Sequence, residues 1–402
     1  MALPNSSEQT ILESIDGNAM LAQVERWVAV NSGTRNLPGL AAMAELLSDA
    51  FAVLPGTIDL VDPAPVEAVE TDGTVRAIRH GRHLSIRVRP DAPVRMLFTG
   101  HMDTVYPVDH PFQQAIWRDD GALNGPGAAD MKGGLAVMLA ALTAIERHPV
   151  AARFGYDVVI NSDEETGSFA SAALIADRAA GKIAAFTYEP ALPDGTLAGA
   201  RGGTGNFSIV VTGRSAHAGR NPEDGRNAIV AAADIALRLA AARGPRLAVN
   251  PARIEGGGPN NVVPDHAVLR VNFRPHDAAE IARARSHIDS AVAMVAAKHD
   301  VTVAVHGSFN RPPKPIDPGA ARLFELVRRS GEDLGIPIGW RDTGGVCDGN
   351  NIAACGVPVI DTMGVRGGAI HSTDEYMIVD SLPERARLSA LAILRIAERG
   401  GV

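Results

Sequence analysis

The chain has 402 residues, 46% of them hydrophobic, and a formal net charge of −8. A chain of this length and apolar share buries a substantial core and is expected to divide into two domains. The acidic balance excludes the basic footprint of nucleic-acid or anionic-lipid binding, and two isolated cysteines, Cys347 and Cys355, exclude a disulfide framework or a thiolate zinc knuckle.

The N-terminal stretch MALPNSSEQTILESIDG is polar and acidic, where a secretory signal carries a basic start and an apolar run. The longest apolar run, 135–145, is about half of what a bilayer span requires. A soluble cytoplasmic protein with neither a membrane nor a nucleic-acid partner is therefore expected.

Strand-like and helix-like runs then alternate: VRMLFTG (94–100), a helix over 133–147, YDVVINS (156–162), and a helix over 171–180. This rhythm predicts an α/β unit with a mixed, mostly parallel sheet, whose ligand sites form at the carboxyl ends of the strands. After Arg201 the pattern changes to strand 205–213, helix 227–243, strands 247–256 and 266–274, helix 278–298 and strand 301–307. That β-α-β-β-α-β order predicts an inserted ferredoxin-like α+β domain over 201–310, with 1–200 and 311–402 forming the first domain. The glycine-rich ARGGTGN (200–206) lacks a P-loop lysine and dinucleotide spacing and is read as the hinge between them. A last helix is expected to start at Ser381, Pro383 and Glu384 through a capping box.

Polar residues gather at the strand ends. His101 and Asp103 follow the first strand; residues i and i+2 of extended backbone share a side, so the carboxylate could take a proton from one imidazole nitrogen while the other binds a metal. A surface histidine beside a strand-ending aspartate is the plainer reading. Asp130, in GPGAADMKGG (125–134), sits before an apolar helix, where it could cap the helix or bridge two cations. Asp163, Glu164 and Glu165 leave the next strand; an acidic turn is commonly just solvated, yet adjacent carboxylates also suit ligation by one and proton transfer by its neighbour. Glu189 in FTYEP (186–190) and His371 in GGAIHSTDEYM (367–377) are each unremarkable alone. Together, two histidines, an aspartate and two glutamates form the mixed N/O donor set of a catalytic zinc or similar divalent metal.

GHMDTV, NGPGAADMKGG, SDEETGS, YEP, GRSAHAG, NNVVP and IHSTDEY, in this order over about 95–380, resemble the successive signatures of the M20 zinc metallopeptidases, above all the glutamate carboxypeptidase and acetylornithine deacetylase branch. The resemblance implies two zinc ions per subunit, with cobalt or manganese as substitutes. It makes Asp130 the bridge, with His101 and Glu189 on one ion and Glu165 and His371 on the other. It further implies Glu164 as general base, Asp103 as partner of His101, and His217 as oxyanion donor reaching across a homodimer formed by the inserted domain. Asn261 and Arg274, joined by Arg311 at the domain joint, would surround the substrate's free carboxylate. Asp163 receives no role beyond a solvated or loop-stabilising acid. Where relatives carry a hydroxyl residue, DTGGVCDGNN (342–351) has Cys347; nucleophilic cysteine catalysis is disfavoured because an activated water already supplies the attacking group.

The implied activity is hydrolysis of the amide of a peptidyl or N-acyl amino acid. A carbamoyl or ureido hydrolase with the same metals and a non-catalytic carboxylate-binding module are the competing expectations.

Overall fold

The computed structural model describes residues 4–402. Six strands form the main sheet, in the spatial order Thr57–Val61, His83–Val88, Phe154–Asn161, Val94–His101, Ala184–Thr187, Val359–Ile360. The first two ladders are antiparallel and the remaining three parallel, so the sheet is mixed with a parallel half. Alternation along the central strand feeds two cores. Phe98 packs with Phe154, Tyr156 and Phe186 on the face covered by helices Gly133–Glu146 and Ser381–Arg399, while Leu97 faces Ile175 and Ile352 of the helices on the other. With both faces covered, all eight residues of Phe154–Asn161 are buried, which is why this strand reads as an almost unbroken apolar run.

The expected inserted unit is a separate four-stranded antiparallel sheet, ordered Leu247–Gly256, His266–Pro275, Thr204–Thr212, Thr302–Arg311. Helices Ala228–Ala241 and Ala278–His299 pack on one face over their own core, which includes Ile209, Ile235, Phe273 and Ile288. The chain leaves a two-stranded pairing with Trp340–Thr343 at Arg201 and enters the new sheet at Thr204; Arg201 and Lys314 bridge the two crossings. A hairpin, Val66–Val69 with Val75–Ile78, reaches from the first unit to the sheet's other face, where Val69 packs on Val210 and Val268. Arg270 secures it by donating to the carbonyls of Val69 and Glu70. Nothing in the hydrophobic pattern announced this brace, because only three side chains carry it.

One local expectation fails. The last helix does begin at Ser381, but no side chain caps it; the Ser381 hydroxyl donates to Ile378 O, and Glu384 pairs with Arg366. The segment Ala128–Glu146 is long and apolar enough to cross a membrane, yet 89% of it is buried inside the protein, as expected of a core helix.

Candidate metal centre and active site

The parallel strands end on one edge, and the site is built there. Val94–His101 delivers His101, Phe154–Asn161 runs into the turn Glu164–Thr166, and Ala184–Thr187 is followed by Glu189. Asp130 comes from the other side, in a kinked turn that starts at Gly127, whose φ of 75° is left-handed. Asp130 has φ −115° and ψ 87° and caps nothing; the following helix has no side-chain cap. Gly134 lets this turn approach, since a Cβ there would lie 2.0 Å from Tyr188 O, beside Glu189. His371 arrives on a loop in which Ala369 and His371 both take positive φ, 53° and 62°.

These five side chains converge. His101 Nε2 lies 3.0 Å from Asp130 Oδ1 and 3.8 Å from Glu189 Oε2; His371 Nε2 lies 3.3 Å from Asp130 Oδ2 and 3.2 Å from Glu165 Oε2. Asp130 thus turns one oxygen to each imidazole, with one glutamate beyond each. Donor atoms of His101, Glu164 and Glu189 also lie within 4.8 Å of one another, so Glu164 stands beside the cluster.

The electrostatics call for added positive charge. Burial pushes Glu165 and Glu189 up to about 8, reinforced in both by the neighbouring Asp130 charge. His371 rises to about 11 through its bonds to Asp130 and Glu165. For His101, burial opposes charging, but contacts with Asp103, Asp130 and Glu189 outweigh it and the ring is held well above its ordinary range. Glu189 Oε1 is buried without a hydrogen-bond partner among the described residues. Protons raised on acids, an orphaned carboxylate oxygen and imidazoles facing carboxylates fit a site for divalent cations.

Glu164 is pushed up to about 7 by burial, against the pull of Arg311 and His101. Its carboxylate meets Arg311 Nη2 at 2.7 Å. Asp103 faces His101 and has further partners. His101 Nδ1 lies 2.9 Å from the Asp103 carbonyl and 3.5 Å from its carboxylate. That carboxylate also accepts from Glu164 N and Glu165 N at 3.2 Å each and from Thr34 Oγ1 at 2.7 Å. The two N–H groups opening the acidic turn have no earlier helical turn to serve them, and the enclosed Asp103 satisfies both. Asp163 is buried, not solvated: it accepts from Ala170 N at 2.6 Å, and burial raises it to about 6.

The inserted unit contributes differently. His217 is exposed on the short pair Ala216–His217 with Val262–Val263, and its Nδ1 accepts from Gly219 N and Arg220 N at 3.1 Å each. That leaves Nε2 to carry the proton and point outward as a donor. Asn261 lies at the same corner, its carbonyl accepting from Ala218 N. Among the described residues, no hydrogen bond or ion pair joins His217 or Asn261 to the carboxylate cluster. Arg274 is exposed and close enough to Arg311 for their charges to repel. Arg311 is buried rather than offered at a mouth.

Sequence reasoning missed Glu375. It lies in the quoted IHSTDEY, but only the folded chain reveals that its buried carboxylate accepts from Gly127 N, Ala129 N and Asp130 N at 3.0–3.1 Å, and from Tyr106 Oη at 2.9 Å. It ties the Asp130 turn to the His371 loop. A cavity of about 570 Å³ opens beside the cluster, between walls that include Leu192, Leu197, Val346 and Ile370. Buried Cys347 also lines it; its thiol is pushed well up by burial, the wrong direction for a nucleophile.

The sequence model of peptidase family M20/M25/M40 matches residues 97–395. Carboxypeptidase G2 of Pseudomonas sp. (strain RS-16) is 28% identical over 383 residues, covering 94% of this chain and 89% of the relative. A putative succinyl-diaminopimelate desuccinylase of Mycobacterium tuberculosis (strain CDC 1551 / Oshkosh) is 27% identical over 361 residues, covering 85% and 96%. In fold, the chain is similar to the crystal structure of aminopeptidase PepT from Bacillus cereus, with a TM-score of 0.72, 24% identity, and coverage of 96% of this chain and 100% of that one. With a match that spans most of its length, the chain belongs to peptidase family M20/M25/M40 and is a metal-dependent hydrolase.

Proposed function

We propose that the protein is a binuclear zinc hydrolase that cleaves the amide bond of a peptidyl or N-acyl amino acid bearing a free carboxylate. The observation that carries this reading is the two-sided donor set around Asp130, with one imidazole and one glutamate on each side, next to a base of raised pKa, Glu164. His101, Asp130 and Glu189 would hold one zinc ion, and Asp130, Glu165 and His371 the other. When bound, the ions lower the proton affinity of a water and polarise the substrate carbonyl.

Glu164 takes a proton from the attacking water as its oxygen bonds to the carbonyl carbon, and gives it to the amine as the C–N bond breaks. Its burial favours the protonated form, the direction needed by a base that must also return a proton. The outward Nε2–H of His217 supplies a donor to the oxygen that gains negative charge. Arg274 and Asn261 hold the free carboxylate, the guanidinium in two-pronged fashion. A carboxypeptidase and a desuccinylase among the relatives both free an amine from an amide, which supports this substrate class. A library of dipeptides, N-acyl and N-carbamoyl amino acids, read by mass spectrometry, tests it. Release of a free amino acid and an acyl acid supports the proposal, whereas ammonia and carbon dioxide would assign the chain to carbamoyl hydrolysis.

His217 does not reach its own cluster, so we place it in the partner's site of a cytoplasmic homodimer. The inserted unit has a surface for this: Leu237 is 72% exposed, Val230 51% and Met294 50%, beside the sheet edge Leu247–Gly256. Sedimentation is expected to show a dimer at assay concentrations. A fully active monomer would remove His217 from this role.

Glu375 organises the bridging aspartate from behind. Glu375→Ala leaves three buried N–H groups without an acceptor and frees the Asp130 turn. Zinc affinity is expected to fall about 10–100-fold, as for other groups that orient metal ligands. Competition with a chromogenic chelator measures it, and wild-type affinity in a folded variant would contradict the assignment.

A further inference from the structure

We infer that Arg311 serves Glu164 and not the substrate: it is a positioning residue that fixes the general base, and Asp348 holds it in turn through Ser168. The inference rests on the amide-hydrolase reading above.

Arg311 Nη2 lies 2.7 Å from Glu164 Oε1, 2.9 Å from the Glu164 carbonyl oxygen and 2.8 Å from Ser168 Oγ. Ser168 donates onward to Asp348 Oδ1 at 2.5 Å, and Asp348 Oδ2 accepts from Asn161 Nδ2 at 2.8 Å. The Arg311 and Asp348 side chains are 6% and 2% exposed. Glu164 is therefore gripped three ways, at its N–H by Asp103 and at its carbonyl and one carboxylate oxygen by Arg311. One oxygen is taken and the other is left for the water. A base so held loses little time to unproductive rotamers.

Ser168 has φ 56°, a region that residues other than glycine seldom occupy. In that conformation its hydroxyl stands between Arg311 and Asp348, and its N–H is held by the Asp163 carbonyl. Moving Arg311 to a substrate carboxylate would leave Glu164 and Asp348 buried without their cation, a costly exchange. Arg274, exposed nearby, has no such commitment to the base.

The test compares R311M, R311K and S168A with wild type on the best N-acyl amino acid of the library and on its C-terminal carboxamide. R311M is expected to lower kcat about 100-fold on both substrates, with KM within about threefold and zinc content unchanged. R311K should recover part of the loss, and S168A should lose about 5–10-fold in kcat. In zinc-loaded crystals of R311M, the Glu164 carboxylate should leave its wild-type place. A rise in KM for the free carboxylate alone, with kcat retained, would overturn the inference, as would an unmoved Glu164. Wild-type kcat in S168A would overturn the relay through Ser168, leaving Asp348 only its direct 3.6 Å contact with Arg311. If R311M does not fold, R311K and S168A carry the same kcat-against-KM reading. Failure of the wild-type enzyme on the whole library would instead sink the amide-hydrolase reading, and the crystals would still decide where Glu164 is held.

Discussion

Stripping the protein of divalent cations is expected to reduce amide hydrolysis by at least about 1,000-fold, and zinc or cobalt should restore it. The site has no internal substitute: with Arg311 committed to Glu164, its two histidines cannot balance Asp130, Glu165 and Glu189, and Glu189 keeps a buried oxygen unpaired. Stability should follow. A ligand present at about 1,000 times its Kd adds about 4 kcal/mol, so Tm should drop by roughly 5–10 °C on chelation. The sign of the pH dependence follows from the raised acids. Glu165 and Glu189, near 8 in the metal-free fold, bind protons there that the unfolded chain releases near its ordinary carboxylate range. Metal-free stability therefore falls as pH rises from about 5 to about 8. His371, near 11, acts in the same direction, its contribution present below the ordinary histidine pKa and lost as pH rises toward the folded one. Cations displace those protons, so the Tm gap between loaded and stripped protein should widen over that window. Calorimetry at both ends, with metal content measured, checks this. Full turnover in protein verified as metal-free would end the metal mechanism.

Glu164→Gln should retain both metals and lose about 1,000-fold or more in kcat. The substitution isolates the proton transfer: glutamine keeps an acceptor for Arg311, and the backbone bonds donated to Asp103 and accepted from Arg311 do not depend on the side chain. What disappears is a buried carboxyl group that can hold and return a proton. The acid limb of the pH–rate profile should vanish with it. Near-normal turnover in a zinc-replete variant would take the base role from Glu164.

The candidate donors stood out in the sequence because most of them terminate strands, while their division between two ions came from the family resemblance. His101, Glu164, Glu165 and Glu189 each follow an apolar run whose role as a buried strand is unmistakable, and parallel strands end on one edge. The inserted sheet was equally legible, since its strand and helix periods contrast and its order is local. Failures came where the folded surroundings chose the partner. Ser381 and Glu384 have the spacing of a capping box, but Ile378 and Arg366 compete successfully for them. Asp103 faces its neighbour His101, but its added partners, donors about sixty residues away, were not foreseen. Asp163 was left open between a solvated and a loop-stabilising acid, and it is enclosed, accepting from Ala170 N.

The amino-acid order alone determined the layered α/β architecture, the inserted antiparallel unit and the family membership, because periodicity and motif spacing are properties of short stretches. Tertiary structure decided what those stretches do to each other: Asp130 turned between two imidazoles, Glu375 holding its loop, Arg311 committed to Glu164, and the hairpin at Val69 bracing the second sheet. Such assignments follow burial. A charged group shut away from water must take the nearest complementary partner, and only the closed fold determines which one is near.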